Sequence, residues 1–185
     1  MSRPLPPKPA KLVIGFLLKD GRLAGGIIRE LAHRFGPPDL ISPWFEFGYT
    51  DYYEKEMGGP LARRLLAFKS LIRQSDLPDI KIATNGIEEQ FSEDHLRRVN
   101  IDPGYLLMER FVLATGKNFS HRIYIGQGIY ADLTLIYSRG QYRVLPWTYP
   151  DYAGDKITGV LEKIREKYKI DLKFHENQDV FTNRK

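Results

Sequence analysis

The chain contains no cysteine. That absence removes disulfide frameworks, thiol nucleophiles, zinc fingers and iron–sulfur ligation together, and it suits a cytoplasmic protein. Long apolar runs are missing too. The longest, residues 12–18, is far too short to span a bilayer, so no membrane partner is expected. Residues 1–10 carry four prolines and lack an apolar stretch, so they read as an extended arm rather than a signal peptide. No GxxxxGKS/T loop, GxGxxG fingerprint, GxSxG elbow or HExxH pair occurs. The four histidines, at 33, 95, 121 and 175, have no metal-ligand spacing, and Asp51, Glu54 and Glu56 fit no EF-hand. These absences point to no metal site, and no reaction or cofactor follows from them.

What is present suits one domain. The 185 residues, 42% hydrophobic and 28% charged, can bury a core without covalent staples. The expected organisation is a proline-rich arm at 1–10, a single domain at 11–168 and a loosely ordered tail at 169–185. A net charge of +5 admits anionic partners, a small molecule or nucleic acid.

The clearest pattern lies in residues 114–152. Residues 121–125 read as a strand, and 129–137 as a second in which Ile129, Ala131, Leu133 and Leu135 alternate with Tyr130, Asp132 and Thr134. Gly126-Gln127-Gly128 turns between them. A three-residue loop sets Arg122 opposite Asp132, whereas a two-residue loop sets it opposite Leu133. Opposite charges across a ladder contribute about 0.2–1 kcal/mol, which favours the first register. A second turn at 138–141 leads into residues 142–147, where Pro146 marks a strand end or an edge. The prediction is a three-stranded antiparallel meander over 121–147, with an edge at which a second copy could pair.

Elsewhere, residues 11–18 read as a strand covered on both faces. A helix from 23 ends at Gly36 and Pro37-Pro38, and 39–47 form another strand. Leu61, Leu65, Phe68 and Ile72 have helical spacing, which leaves Arg63, Arg64 and Lys69 on a solvated face. Residues 79–84 read as a strand, then a short helix capped by Thr84 or Asn85 with Glu88 near its third position. A strand at 97–101 is stopped by Asp102-Pro103-Gly104. Residues 105–115 fit strand or helix. Ile157, Val160, Leu161, Ile164 and Tyr168 mark a last helix. The fold class is α+β: a mostly antiparallel sheet with helices packed on one face, ferredoxin-like with additions.

Candidate binding residues gather at Lys117, His121 and Arg122, beside Asn100 and Asp102. Lysine and arginine supply charge-assisted bonds to an anion, and histidine an acid or base near neutral pH. The competing reading spends Arg122 on Asp132 and leaves His121 to cap the meander. Thr84, Asn85 and Glu88 form a second set that joins the first only if folding brings them together; otherwise they cap a helix.

At TDYYEKEMG (50–58), KIATNGIEE (81–89), RRVNIDPGYL (97–106), LATGKNFSHRIYIGQGIYADLTL (113–135) and WTYPDY (147–152) the chain resembles a prokaryotic family, the domain of unknown function numbered four thousand four hundred and sixteen. The resemblance covers about 11–168 and implies one complete domain, without an activity or a catalytic residue to transfer. The functional expectation is binding of a phosphorylated small molecule or nucleotide through the Lys/His/Arg cluster. The alternatives are a non-catalytic RNA- or protein-binding module and a dimerising structural domain.

Overall fold

Strand β1 (Ala10–Leu18) is buried along all nine residues. Apart from Lys11, its alternating side chains are apolar in both directions, so it needs a layer on each face. A computed structural model describes residues 3–50 and 52–182. Asp51 and the extreme ends of the arm and tail lie outside the described residues. The strands β4 (Leu61–Ile72) and β5 (Val99–Leu106) flank β1, both antiparallel. Two short strands, β2 (Pro38–Ile41) and β3 (Phe45–Phe47), lie in series on the outer edge of β4. Beyond β5 come β6 (Arg110–Thr115) and β8 (Ile129–Ser138), then β7 (Arg122–Gly126) and β9 (Gln141–Val144) in series on the outer edge of β8.

The fold is α+β, with a nine-stranded open antiparallel sheet. Helices α1 (Ala24–Phe35) and α3 (Leu77–Gln90) cover one face, where Ile27, Leu31, Ile80 and Ile87 meet Leu12, Ile14 and Phe16. A one-turn α2 (Glu54–Met57) interrupts the connector. Helix α4 (Asp155–Thr182) packs Leu161, Ile164 and Tyr168 on the other face, against Val13, Leu65 and Ala67. The expectation of helices on one face thus holds for two helices and is corrected by the third. No described helix is long and apolar enough to cross a membrane.

Several local expectations change. Leu61–Ile72 is a strand, not a helix, and Arg63 is buried rather than solvated. Residues 79–84 lie inside α3, with Pro78 in its first turn, so neither Thr84 nor Asn85 caps anything. The Asp102-Pro103-Gly104 turn is absent because β5 runs through it. Ile101 directs its N–H and C=O away from β1, and by the alternation of a strand Pro103 lacks its N–H on that same, unpaired side. Residues 105–115 close a β5–β6 hairpin.

Both pairings of the meander form, β7 with β8 and β8 with β9, but β6 occupies the second edge of β8. The first turn is a two-residue one, with Gln127 at φ 53° and Gly128 at φ 74°. Ile125 bulges out, and that extra residue restores Arg122 opposite Asp132.

Helix α4 runs on past residue 168 to 182, and a charge network ties its Lys167–Asp171 turn to β1 and β2. The Lys11 ammonium, fully buried, lies 2.7 Å from Asp39 and 2.6 Å from Asp171. Lys167 lies 3.1 Å from Asp39 and 3.7 Å from Asp171. Replacing Lys11 with methionine leaves two nearly buried carboxylates sharing one peripheral lysine. The expected loss is about 3 kcal/mol in urea unfolding, against less than about 1 kcal/mol for Lys167→Met.

Candidate functional site

Strands β5 and β6 pair only at residues 104–106 with 111–113, then separate. Gly104 permits their close approach, since a Cβ there would collide with the Val112 carbonyl oxygen. Past it, Ile101 has β1 on one side and no strand on the other. Helix α3 fills the gap: the Ile101 N–H donates to Glu88 Oε1 at 2.5 Å, and Lys81 Nζ donates to the Ile101 carbonyl at 2.8 Å. The split opens a cavity of about 720 Å³.

Its walls come from seven places. Arg63 lies on β4 and Asp132 on β8, while Lys81, Asn85 and Glu88 share one face of α3 at spacings of four and three. Asn100 and Asp102 project from β5, with Arg97 just before it. Lys117 follows β6 at the mouth. Tyr49, Tyr52 and Tyr53 of the connector and Tyr149 and Tyr152 of the 149–152 corner supply aromatic surface.

Arg63 anchors one wall. Its Nη1 donates to Asp102 Oδ2 at 3.2 Å and to Tyr152 Oη at 3.0 Å. Its Nε lies 2.8 Å from Asp151 Oδ2 but off the hydrogen-bonding direction, so that contact is charge against charge. The guanidinium also stacks over Phe47 and Tyr152. Gly15 makes this possible, since a Cβ there would be 2.7 Å from Tyr152 Oη. Arg97 is held by Glu56, with Nη2 2.6 Å from Oε2. That accounts for one of the three carboxylates weighed for metal binding, of which Asp51 is outside the described residues.

Burial raises the carboxyls of Glu88 and Asp151 above their ordinary values, with Lys81 opposing it at Glu88 and Arg63 at Asp151. Burial likewise raises the Tyr149 phenol, against the pull of Arg122. The hydrogen bond from Lys117 lowers that of Tyr52.

Of the residues singled out in sequence, Lys117, Asn100, Asp102, Asn85 and Glu88 line this one cavity. Thr84 does not; it is buried in α3, with Oγ1 donating to the Lys81 carbonyl. His121 and Arg122 stand behind Asp132, with Nε2 and Nε at 3.2 and 2.9 Å from Oδ2. Arg122 also donates to the Lys117 carbonyl and to Tyr149 Oη, and His121 stacks on Trp147 at 4.9 Å. Arg63 and Lys81, which are not among the sequence candidates, and Asp151 of the 149–152 corner complete the polar lining. Arg63 was hidden by its misassigned helix, whereas the aromatic density of residues 49–53 was a usable signal.

A family model described as Domain of unknown function (DUF4416) matches residues 8–168. The chain belongs to the DUF4416 family. The match takes in every cavity-lining residue, and it assigns DUF4416 no activity. No curated protein and no solved structure matches the chain.

The raised Glu88 carboxyl sets a pH dependence. The folded chain keeps this proton to higher pH than the unfolded one, so stability falls as pH rises from the ordinary value of 4.5 through the folded one. Glu88→Gln keeps an acceptor for the Ile101 N–H and removes the titration. Urea midpoints measured from pH 4 to 8 should therefore shift in favour of the variant as pH rises; parallel curves would contradict the assignment.

Proposed function

We propose that the cavity binds a small anionic molecule, a nucleotide or another phosphorylated compound, with Lys117 receiving its negative group. The observation that carries this is the state of the lining cations. Arg63 faces Asp102 and Asp151, Arg97 faces Glu56, and Lys81 is spent on the Ile101 carbonyl within the field of Glu88. Lys117 meets no carboxylate among the described residues. Its ammonium rests on Tyr52, 2.9 Å from the hydroxyl and 4.2 Å from the ring centre. An anion can join it there without breaking an ion pair.

On this reading β1, α1, β2, β4, α3 and β5 form a ferredoxin-like core, β6 to β9 and α4 are additions, and the ligand sits where the two meet. A cavity of about 720 Å³ favours a small molecule over an RNA or protein surface. The lack of cysteine supports a cytoplasmic setting.

Titration calorimetry with nucleoside monophosphates, sugar phosphates and inorganic phosphate tests the reading. Lys117→Ala should weaken the best binder about ten- to a hundredfold, the loss of one charge-assisted bond. The melting temperature of the ligand-free variant should hardly change. Binding that survives the substitution, or no binding by any compound, refutes the proposal.

A further inference from the structure

The two ends of the cavity carry different chemistry. At the mouth, Lys117 offers a cation. Deeper in, Asp102 and Asp151 share the single guanidinium of Arg63, which leaves this end short of positive charge. Asp102 spends only Oδ2 on Arg63; Oδ1 accepts no hydrogen bond among the described residues, and the side chain is 23% exposed. Beside it, Asn100 is 5% exposed; its Oδ1 accepts from Arg97, while its Nδ2 is buried with no partner. The two residues alternate with Ile101 on β5, so both project from the same face about 7 Å apart. The unmet requirements of this wall are thus one donor and one acceptor, side by side.

We infer that the ligand is a phosphate ester bearing adjacent hydroxyl groups, a phosphorylated sugar alone or within a nucleotide, whose hydroxyls are read by Asn100 and Asp102. The inference rests on the reading of Lys117 given above. A hydroxyl both donates and accepts, so a pair of them answers Asp102 Oδ1 and Asn100 Nδ2 together. An ammonium group would satisfy Asp102 and leave the Asn100 amide unpaired. A second anionic group would face the Asp102 and Asp151 carboxylates. An apolar group would leave donor and acceptor both unpaired. The tyrosines that line the cavity suit the apolar face of a sugar ring or a base.

The test is calorimetric titration of the full chain with ribose 5-phosphate and 2-deoxyribose 5-phosphate, a nucleoside 5′-monophosphate and its 2′-deoxy form, phosphoethanolamine and inorganic phosphate. Removing one hydroxyl should weaken binding about tenfold or more. In Asp102→Asn that ratio should fall toward one, with affinity for the deoxy compound little changed. Should this variant not fold, as judged by circular dichroism, the hydroxyl ratio of the unaltered chain decides alone. The sugar and nucleotide arms show whether a base adds affinity. Equal binding of hydroxylated and deoxy forms, lost in Lys117→Ala, overturns this inference and leaves the anion site standing. Tighter binding of phosphoethanolamine than of any sugar phosphate overturns it as well. No binding by any compound overturns both.

Discussion

Strand β5 has a sheet neighbour on only one side between Val99 and Pro103, so the peptide at Ile101 must find its second set of hydrogen bonds elsewhere. Leaving a buried N–H and C=O unpaired costs about 1–3 kcal/mol each. Helix α3 meets the requirement with a carboxylate that accepts from the N–H and an ammonium that donates to the C=O. Glu88 and Lys81 are seven residues apart, two helical turns, so one stripe of α3 addresses both backbone groups of Ile101. The helix stands in for a missing strand. Had β6 stayed paired past Gly104, the ladder would have closed and the cavity would not exist.

Arg63 does for the opposite wall what Glu88 and Lys81 do for this one. It ties β4 to Asp102 on β5, to Asp151 and Tyr152 of the corner, and to Phe47 before the connector. Its charge is almost wholly buried, and a buried charge deprived of a partner is far costlier than a surface one. The space for it depends on a position with no side chain, Gly15 on β1 directly beneath. The fixed side of the cavity is therefore specified by residues far apart in sequence, Gly15 and Arg63 by 48 positions and Arg63 and Asp151 by 88.

That distance explains what could be read in advance. Local patterns were legible: β1 by its apolar run, α4 by its stripe from Ile157 to Tyr168, and the facing of Arg122 and Asp132 by charge complementarity, although a two-residue turn with a bulge replaces the three-residue loop that was expected to set it. Leu61–Ile72 misled because a strand buried on both faces loses its alternation, and leucines at 61 and 65 with Phe68 then mimic a helix. Residues 79–84 failed the other way, since Ile80 and Ile82 alternate although only Ile80 is buried. The polar candidates Asn85, Glu88, Asn100, Asp102 and Lys117 were visible as residue types. That they share a cavity depends on where β5 and β6 part, which no local pattern records.

The Lys-His-Arg cluster divides for a traceable reason. In sequence it is one basic patch, yet two of its members turn inward and one does not. The Gln127-Gly128 turn alone would set Arg122 opposite Leu133, and the bulge at Ile125 shifts the ladder by one so that Arg122 meets Asp132. Asp132 is fully buried and holds both Arg122 and His121. Lys117 precedes β7 and has no cross-strand partner, so the register that commits its neighbours leaves its ammonium at the cavity mouth. One extra residue in a hairpin thereby decides which of three basic side chains is available to a ligand.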